Sequence, residues 1–119
     1  MRSILLSFFI FSVSISARAQ NEWKPVPDRM MTAWGERVNA ANPLAEYPRP
    51  QMIRNEWINL NGLWQYSILP KTQESIPASF SGNILVPFAV ESTLSGVGKT
   101  VGKDSVLWYE RNFTLPPAF

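Results

Sequence analysis

The sequence predicts an all-β chain, the opening part of a β-sandwich. Two observations lead to that class. Ile84-Leu85-Val86 is a short apolar run stopped by Pro87, which reads as a buried strand. Leu63-Trp64-Gln65-Tyr66-Ser67-Ile68 alternates with period two, so Trp64, Tyr66 and Ile68 share one face. A third run, Val106 to Phe113, has the same period. It sets Leu107, Tyr109, Arg111 and Phe113 opposite Val106, Trp108, Glu110 and Asn112.

The chain divides into three parts. Met1-Arg2-Ser3, the apolar stretch Ile4 to Ile15 and Ala17-Arg18-Ala19 follow the order of a secretory signal, expected over 1–19 with cleavage between Ala19 and Gln20. The apolar stretch is too short for a spanning helix, which needs roughly 20 residues. The expected location is therefore the periplasm or the medium, with no membrane association after cleavage. Residues 20–49 hold Pro25, Pro27, Pro43 and Pro48 and read as an irregular extension. Met30 to Trp34 is its one candidate helical turn, and Trp23 and Trp34 are its expected aromatic anchors.

Residues 50–119 carry the strands. Ile53 to Leu60 alternates in part and stands as a possible fourth strand, with Asn61-Gly62 as a turn after it. Pro70 ends the next strand. Lys71 to Gly82 is a polar loop, and Ser95-Gly96 builds a turn after Pro87. A jelly roll needs about eight strands. Three or four leave sheet edges unpaired, so the expectation is a partial jelly roll, the truncated front of a longer protein.

Composition excludes several chemistries. The 119 residues contain no cysteine and no histidine, so neither a disulfide, a Ser-His-Asp set nor a His/Cys zinc site forms within this chain. Removing the signal removes Arg2 and Arg18 and leaves nine basic against nine acidic residues, which are scattered singly. A nucleic-acid footprint requires a clustered basic face. Gly98-Lys99-Thr100 echoes the end of a phosphate loop, but the glycine required five residues earlier is Thr93. No cofactor is expected.

Three blocks in order carry a resemblance. They are Tyr47-Pro48-Arg49-Pro50-Gln51-Met52 with Trp57-Ile58-Asn59-Leu60-Asn61-Gly62-Leu63-Trp64, then Val86-Pro87-Phe88-Ala89-Val90-Glu91-Ser92 with Leu94-Ser95-Gly96-Val97, and then Leu107-Trp108-Tyr109-Glu110-Arg111-Asn112-Phe113 with Pro116. Together they resemble the start of a family 2 glycoside hydrolase, the group of β-galactosidases and β-glucuronidases. The resemblance implies a first domain that is a galactose-binding-domain-like jelly roll. It also implies an immunoglobulin-like sandwich and a (β/α)8 barrel further on. The barrel's two glutamates perform retaining hydrolysis, which needs carboxyls roughly 5 Å apart. Carbohydrate would be engaged through that barrel, and this chain would supply scaffold. The alternatives are a stand-alone carbohydrate-binding module and a purely structural sandwich.

No residue is expected to be catalytic. Asn21-Glu22 and Asn55-Glu56 echo the family's Asn-Glu pair but lack a barrel strand around them. Glu91 is expected to support its turn by hydrogen bonds, Glu110 to pair with a neighbouring charge, and Arg111 to form a scaffold ion pair with a carboxylate. Trp57, Trp64 and Trp108 have the residue type for sugar stacking, yet strand positions favour a core role. The candidate substrate-binding stretch is the loop with Lys99, Lys103 and Asp104, since binding residues concentrate on loops held by a rigid scaffold. Asn112-Phe113-Thr114 matches a glycosylation sequon but falls in an expected strand.

Overall fold

The computed structural model describes residues 23–46, 49–52 and 54–117, and its elements are three strands and three single 3-10 turns. The signal, Ala19, Gln20 and the Asn21-Glu22 pair lie outside the described residues. Strand β1 spans Gly62–Pro70, β2 Gly82–Val86 and β3 Ser105–Glu110. They form one antiparallel sheet in the order β2-β1-β3. The all-β expectation therefore holds, with the longest strand at the centre.

Register follows the hydrophobic pattern. Trp64 faces Ile84, Tyr66 faces Tyr109, and Ile68 faces Leu107. Directly opposed residues share a face, so β1's aromatic face becomes the inner face of the sheet. Ile84, fully buried, sits at its centre with Tyr66 and Val90. Trp64, Ile68, Val86, Val97, Val101 and Leu107 pack around them. Trp64 and Tyr109 meet edge to face, with ring centroids 6.3 Å apart at 89°. The opposite face holds a second buried pair, Leu85 and Ser67. Ser67 Oγ accepts from the Ser81 amide at 2.9 Å, and the Tyr66 carbonyl accepts from the same amide at 2.8 Å. Those bonds return the polar loop 71–81 to β2.

Two sequence expectations fail at strand ends. No strand forms over residues 54–61; Ile53 lies outside the described residues. Asn59 Oδ1 accepts from the Asn61 amide (2.8 Å), Asn59 Nδ2 donates to the Leu44 carbonyl (3.1 Å), and Asn61 Nδ2 donates to the Pro43 carbonyl (3.2 Å). Asparagine side chains here take the place of a ladder, and Asn61-Gly62 leads into β1 instead of turning a hairpin. Similarly, β3 stops at Glu110, because Arg111 sends its guanidinium back to the carbonyls of Leu60 and Asn61. Phe113 is consequently exposed and not part of the core.

The turn after β2 is a 3-10 turn, Thr93–Ser95, closed by Gly96 in the left-handed region. The Val86–Pro87 peptide bond is cis. Ser92 caps the turn by accepting from the Ser95 amide. Ser95 is fully buried, and its hydroxyl accepts from the Val97 and Gly98 amides while facing the carbonyls of Val90 and Ser92 at 3.0 and 2.8 Å.

The N-terminal segment docks on this turn. Trp23 lies against Gly96: a Cβ there would approach its indole to 2.9 Å. The Val26 amide donates to the Thr93 carbonyl at 3.0 Å. Arg29 donates through Nη1 to the Glu91 carbonyl (2.8 Å) and through Nη2 to the Gly98 carbonyl (2.9 Å). Trp23 thus anchors as expected, whereas Trp34 does not, being 79% exposed. The helical turn also forms later than expected, at Gly35–Arg37, with Trp34 directly before it. Gly98 combines φ +63° with a Cβ direction that would meet Val26 at 2.8 Å. Gly98→Ala is expected to cost about 1–3 kcal/mol and to release segment 23–29, read as earlier trypsin cleavage after Arg29.

Candidate functional site

The expected loop candidates have different surroundings. Lys99 lines a depression of about 470 Å³ with Tyr66, Ile68, Ser81 and Thr100, over the inner face of the sheet. Lys103 and Asp104 are exposed. Asp104 has a local structural task, since its backbone carbonyl accepts from the Lys71 amide at 3.0 Å and ties the loop to the end of β1.

The other singled-out residues take scaffold positions, several of them by unexpected means. Glu91 receives Arg29 through its main-chain carbonyl, and the hydroxyls of Ser92 and Ser95 hold the turn expected of its carboxylate. Glu110 stands opposite Gln65 in the ladder. Arg111 binds two main-chain carbonyls instead of a carboxylate, at 2.8 Å to Asn61 and closer to Leu60. Its guanidinium also fills the space above Gly62, where a Cβ would come within 3.0 Å and where φ is +134°. Trp64 is a packing residue whose Nε1 donates to the Leu60 carbonyl (2.8 Å). Trp108 is half-buried, with an indole nitrogen that is enclosed and lacks a hydrogen-bond partner. Trp57 departs from the core expectation: it is 39% exposed and lines a shallow groove with Leu44, Glu46 and Pro87. Asn55, Glu56 and Asn112 are exposed in irregular chain, so the sequon lies outside β3.

Burial, and secondarily the charge of Glu91, push the Tyr109 hydroxyl above its ordinary pKa. A raised folded value means that the folded chain holds the phenol proton more tightly than the unfolded chain does. The stabilisation is complete below about pH 10 and is lost as pH rises through the folded value. Tyr109→Phe is expected to remove this alkaline loss. Urea midpoints at about pH 8 and about pH 11 should differ less in the variant than in the parent chain.

Sequence reasoning missed a further cleft. It measures about 460 Å³ and lies between segment 32–46 and the Phe88 and Leu94 side chains. Trp34, Arg37, Asn42 and Glu46 are among its lining residues. Arg37 stacks on Trp34, with Cζ 5.7 Å from the ring centroid. The wall is held by the Asn59 and Asn61 amides, which fix the Pro43 and Leu44 carbonyls and leave Leu44 at φ +49°. The available signal is Trp34 followed by the polar residues Arg37, Asn39, Asn42 and Glu46.

Among the described residues, no group of His, Cys, Asp or Glu has the arrangement to hold a metal ion, and no helix is long and apolar enough to cross a membrane. Compared with protein-family models and with curated proteins, the chain matches none.

Proposed function

We propose that this chain is the front part of the first, jelly-roll domain of an exported family 2 glycoside hydrolase. Its role is to scaffold a catalytic barrel and to shape the entrance to its sugar site, on β-galactoside- or β-glucuronide-type substrates. The chemistry belongs to the barrel, through which carbohydrate is engaged, and the chain alone performs no hydrolysis.

The observation that carries this reading is how the three family-like blocks meet. Arg111, from the last block, donates to the Leu60 and Asn61 carbonyls of the first. The first block's Leu63 and Trp64 pair with Leu85 and Ile84, directly before the middle block. The blocks therefore form one contiguous frame. The sheet supports the reading too: among the described residues β2 and β3 pair only with β1, which leaves an outer edge on each. Ile68 and Leu107 are only half-buried on the inner face, as expected where a second sheet would pack.

The test is to sequence the gene past codon 119 and to assay the purified chain on nitrophenyl β-galactoside and β-glucuronide. A reading frame that continues into further strands and a barrel, with no turnover by the chain alone, is expected. Clear turnover by this chain, or a stop codon directly after Phe119, overturns the proposal.

A further inference from the structure

We infer that Asn61-Gly62 is a deamidation site, gated by the docking of residues 43–46, whose product keeps that segment from docking again. It is a one-way chemical timer on the N-terminal extension. The inference is independent of the family reading and rests on the surroundings of Asn61 alone.

The chemistry begins with the sequence. Asn61 is the one asparagine of the chain that is followed by glycine. Once the Gly62 amide has lost its proton to solvent base, its nitrogen attacks Asn61 Cγ. The new N–Cγ bond closes a five-membered imide. The Cγ–Nδ2 bond breaks, and the nitrogen takes up a proton and leaves as ammonia. Water then opens one of the two imide C–N bonds, which leaves aspartate or isoaspartate at position 61. Water is consumed and ammonia released, with no oxidant or cofactor. Glycine presents no side chain to obstruct the ring closure.

The fold activates the attacking nitrogen. Arg111 Nη1 donates to the Asn61 carbonyl at 2.8 Å, the oxygen of the same peptide unit. A cation there stabilises the amide anion and makes the Gly62 N–H more acidic. The guanidinium lies so close over Gly62 that a Cβ would come within 3.0 Å of it. Water for the second step is at hand, because Asn61 lines an open groove of about 560 Å³ together with Leu44, Glu46 and Pro87.

The fold also restrains the leaving group. Asn61 Nδ2 donates to the Pro43 carbonyl at 3.2 Å and to the Leu44 carbonyl at 3.3 Å. Expelling that nitrogen means giving up both bonds. Asn59 reinforces the hold, with Nδ2 donating to the Leu44 carbonyl and Oδ1 accepting from the Asn61 amide. The reaction therefore runs at the rate at which segment 43–46 lifts off, a local opening of the kind that precedes global unfolding.

The product makes the opening permanent. A carboxylate only accepts hydrogen bonds, so the Pro43 and Leu44 carbonyls lose their Asn61 donor. It also adds a second negative charge to the groove that Glu46 lines. Isoaspartate further lengthens the main chain at the entry to β1. The wall of the Trp34 cleft, segment 32–46, then loses its fastening.

The experiment incubates the full chain in mildly alkaline buffer, folded and in urea, and follows each asparagine by peptide mass spectrometry. Asn61 is expected to convert faster than any other asparagine, and about tenfold or more slowly in the folded chain than in urea, in keeping with the loss of two hydrogen bonds on opening. Asn59→Ala, which loosens Leu44, should speed conversion in the folded chain. Asn61→Asp, the product itself, should show faster amide hydrogen exchange over residues 38–46 while residues 63–69 of the sheet exchange as in the parent. Four results overturn the inference. They are an Asn61 that stays intact in the folded chain while converting in urea, equal rates in both, parent-like exchange over 38–46 in Asn61→Asp, and loosening of the sheet as large as that of the segment.

Discussion

Replacing Ile84 with alanine is expected to destabilise the chain by about 3–4 kcal/mol, the middle of the usual range for truncating a buried aliphatic side chain. Ile84 is fully buried and faces Trp64 across the ladder, with Tyr66 and Val90 in the same cluster. Those neighbours are held in place: Trp64 by its bond to the Leu60 carbonyl, and Val90 by the Ser95 hydroxyl and the Lys99 amide at its carbonyl. They have little freedom to collapse into the space left behind. A small domain has total stability of the order of 5–15 kcal/mol, so this one change removes a large share. The urea midpoint measures it, and Ile84→Val should recover most of the loss. A shift equivalent to less than about 1 kcal/mol would show that the cluster relaxes freely.

Arg111→Ala is the second large effect, at about 2–3 kcal/mol. Hydrogen bonds from a charged donor are worth more than neutral ones, and both acceptors are main-chain carbonyls in half-buried positions. The loss should be local in origin and global in result, because Arg111 links the end of β3 to the entry of β1. Amide hydrogen exchange should accelerate first near residues 60–62 and 108–111. Arg111→Lys is expected to recover only part, since a compact ammonium does not reproduce the broad planar guanidinium above Gly62. Full recovery with lysine would reduce the role of Arg111 to charge alone.

The sheet was legible because its signal is periodic. The alternation of Trp64, Tyr66 and Ile68 predicts a strand with one apolar face, and the run Ile84 to Val86 predicts a buried one. The errors cluster where side chains bond to main chain over long separations. Nothing local in Arg111 says that its partners are carbonyls 50 and 51 residues earlier. Nothing local in Asn59 and Asn61 says that their amides fasten Pro43 and Leu44 and not a hairpin. The periodicity of 106–113 continues through Arg111 although the strand stops at Glu110. Period describes side-chain placement; it carries no information about a competing hydrogen bond that ends a ladder.

The candidate site was less legible for a related reason. Lys99, Lys103 and Asp104 share one loop, but Lys99 lines a depression over the sheet whereas Asp104 ties the loop to the end of β1 through its carbonyl. The Trp34 cleft is assembled from segment 32–46 together with Phe88 and Leu94, more than 40 residues away in sequence. An aromatic residue in an irregular extension reads as an anchor; its exposure shows that Trp34 is not one.

The attachment of segment 23–29 has a kinetic consequence. Arg29 meets its two carbonyl partners across 62 and 69 residues, and both partners belong to a turn whose own bonds are short-range. The turn has no need of the segment in order to form, whereas the segment has nothing to grip until the turn exists. Closing so long a loop is slow compared with local structure and is rewarded only at the end. The N-terminal segment should therefore join last during refolding and leave first during unfolding. Emerging first from the ribosome, it waits for residues synthesised some sixty positions later before it finds its place.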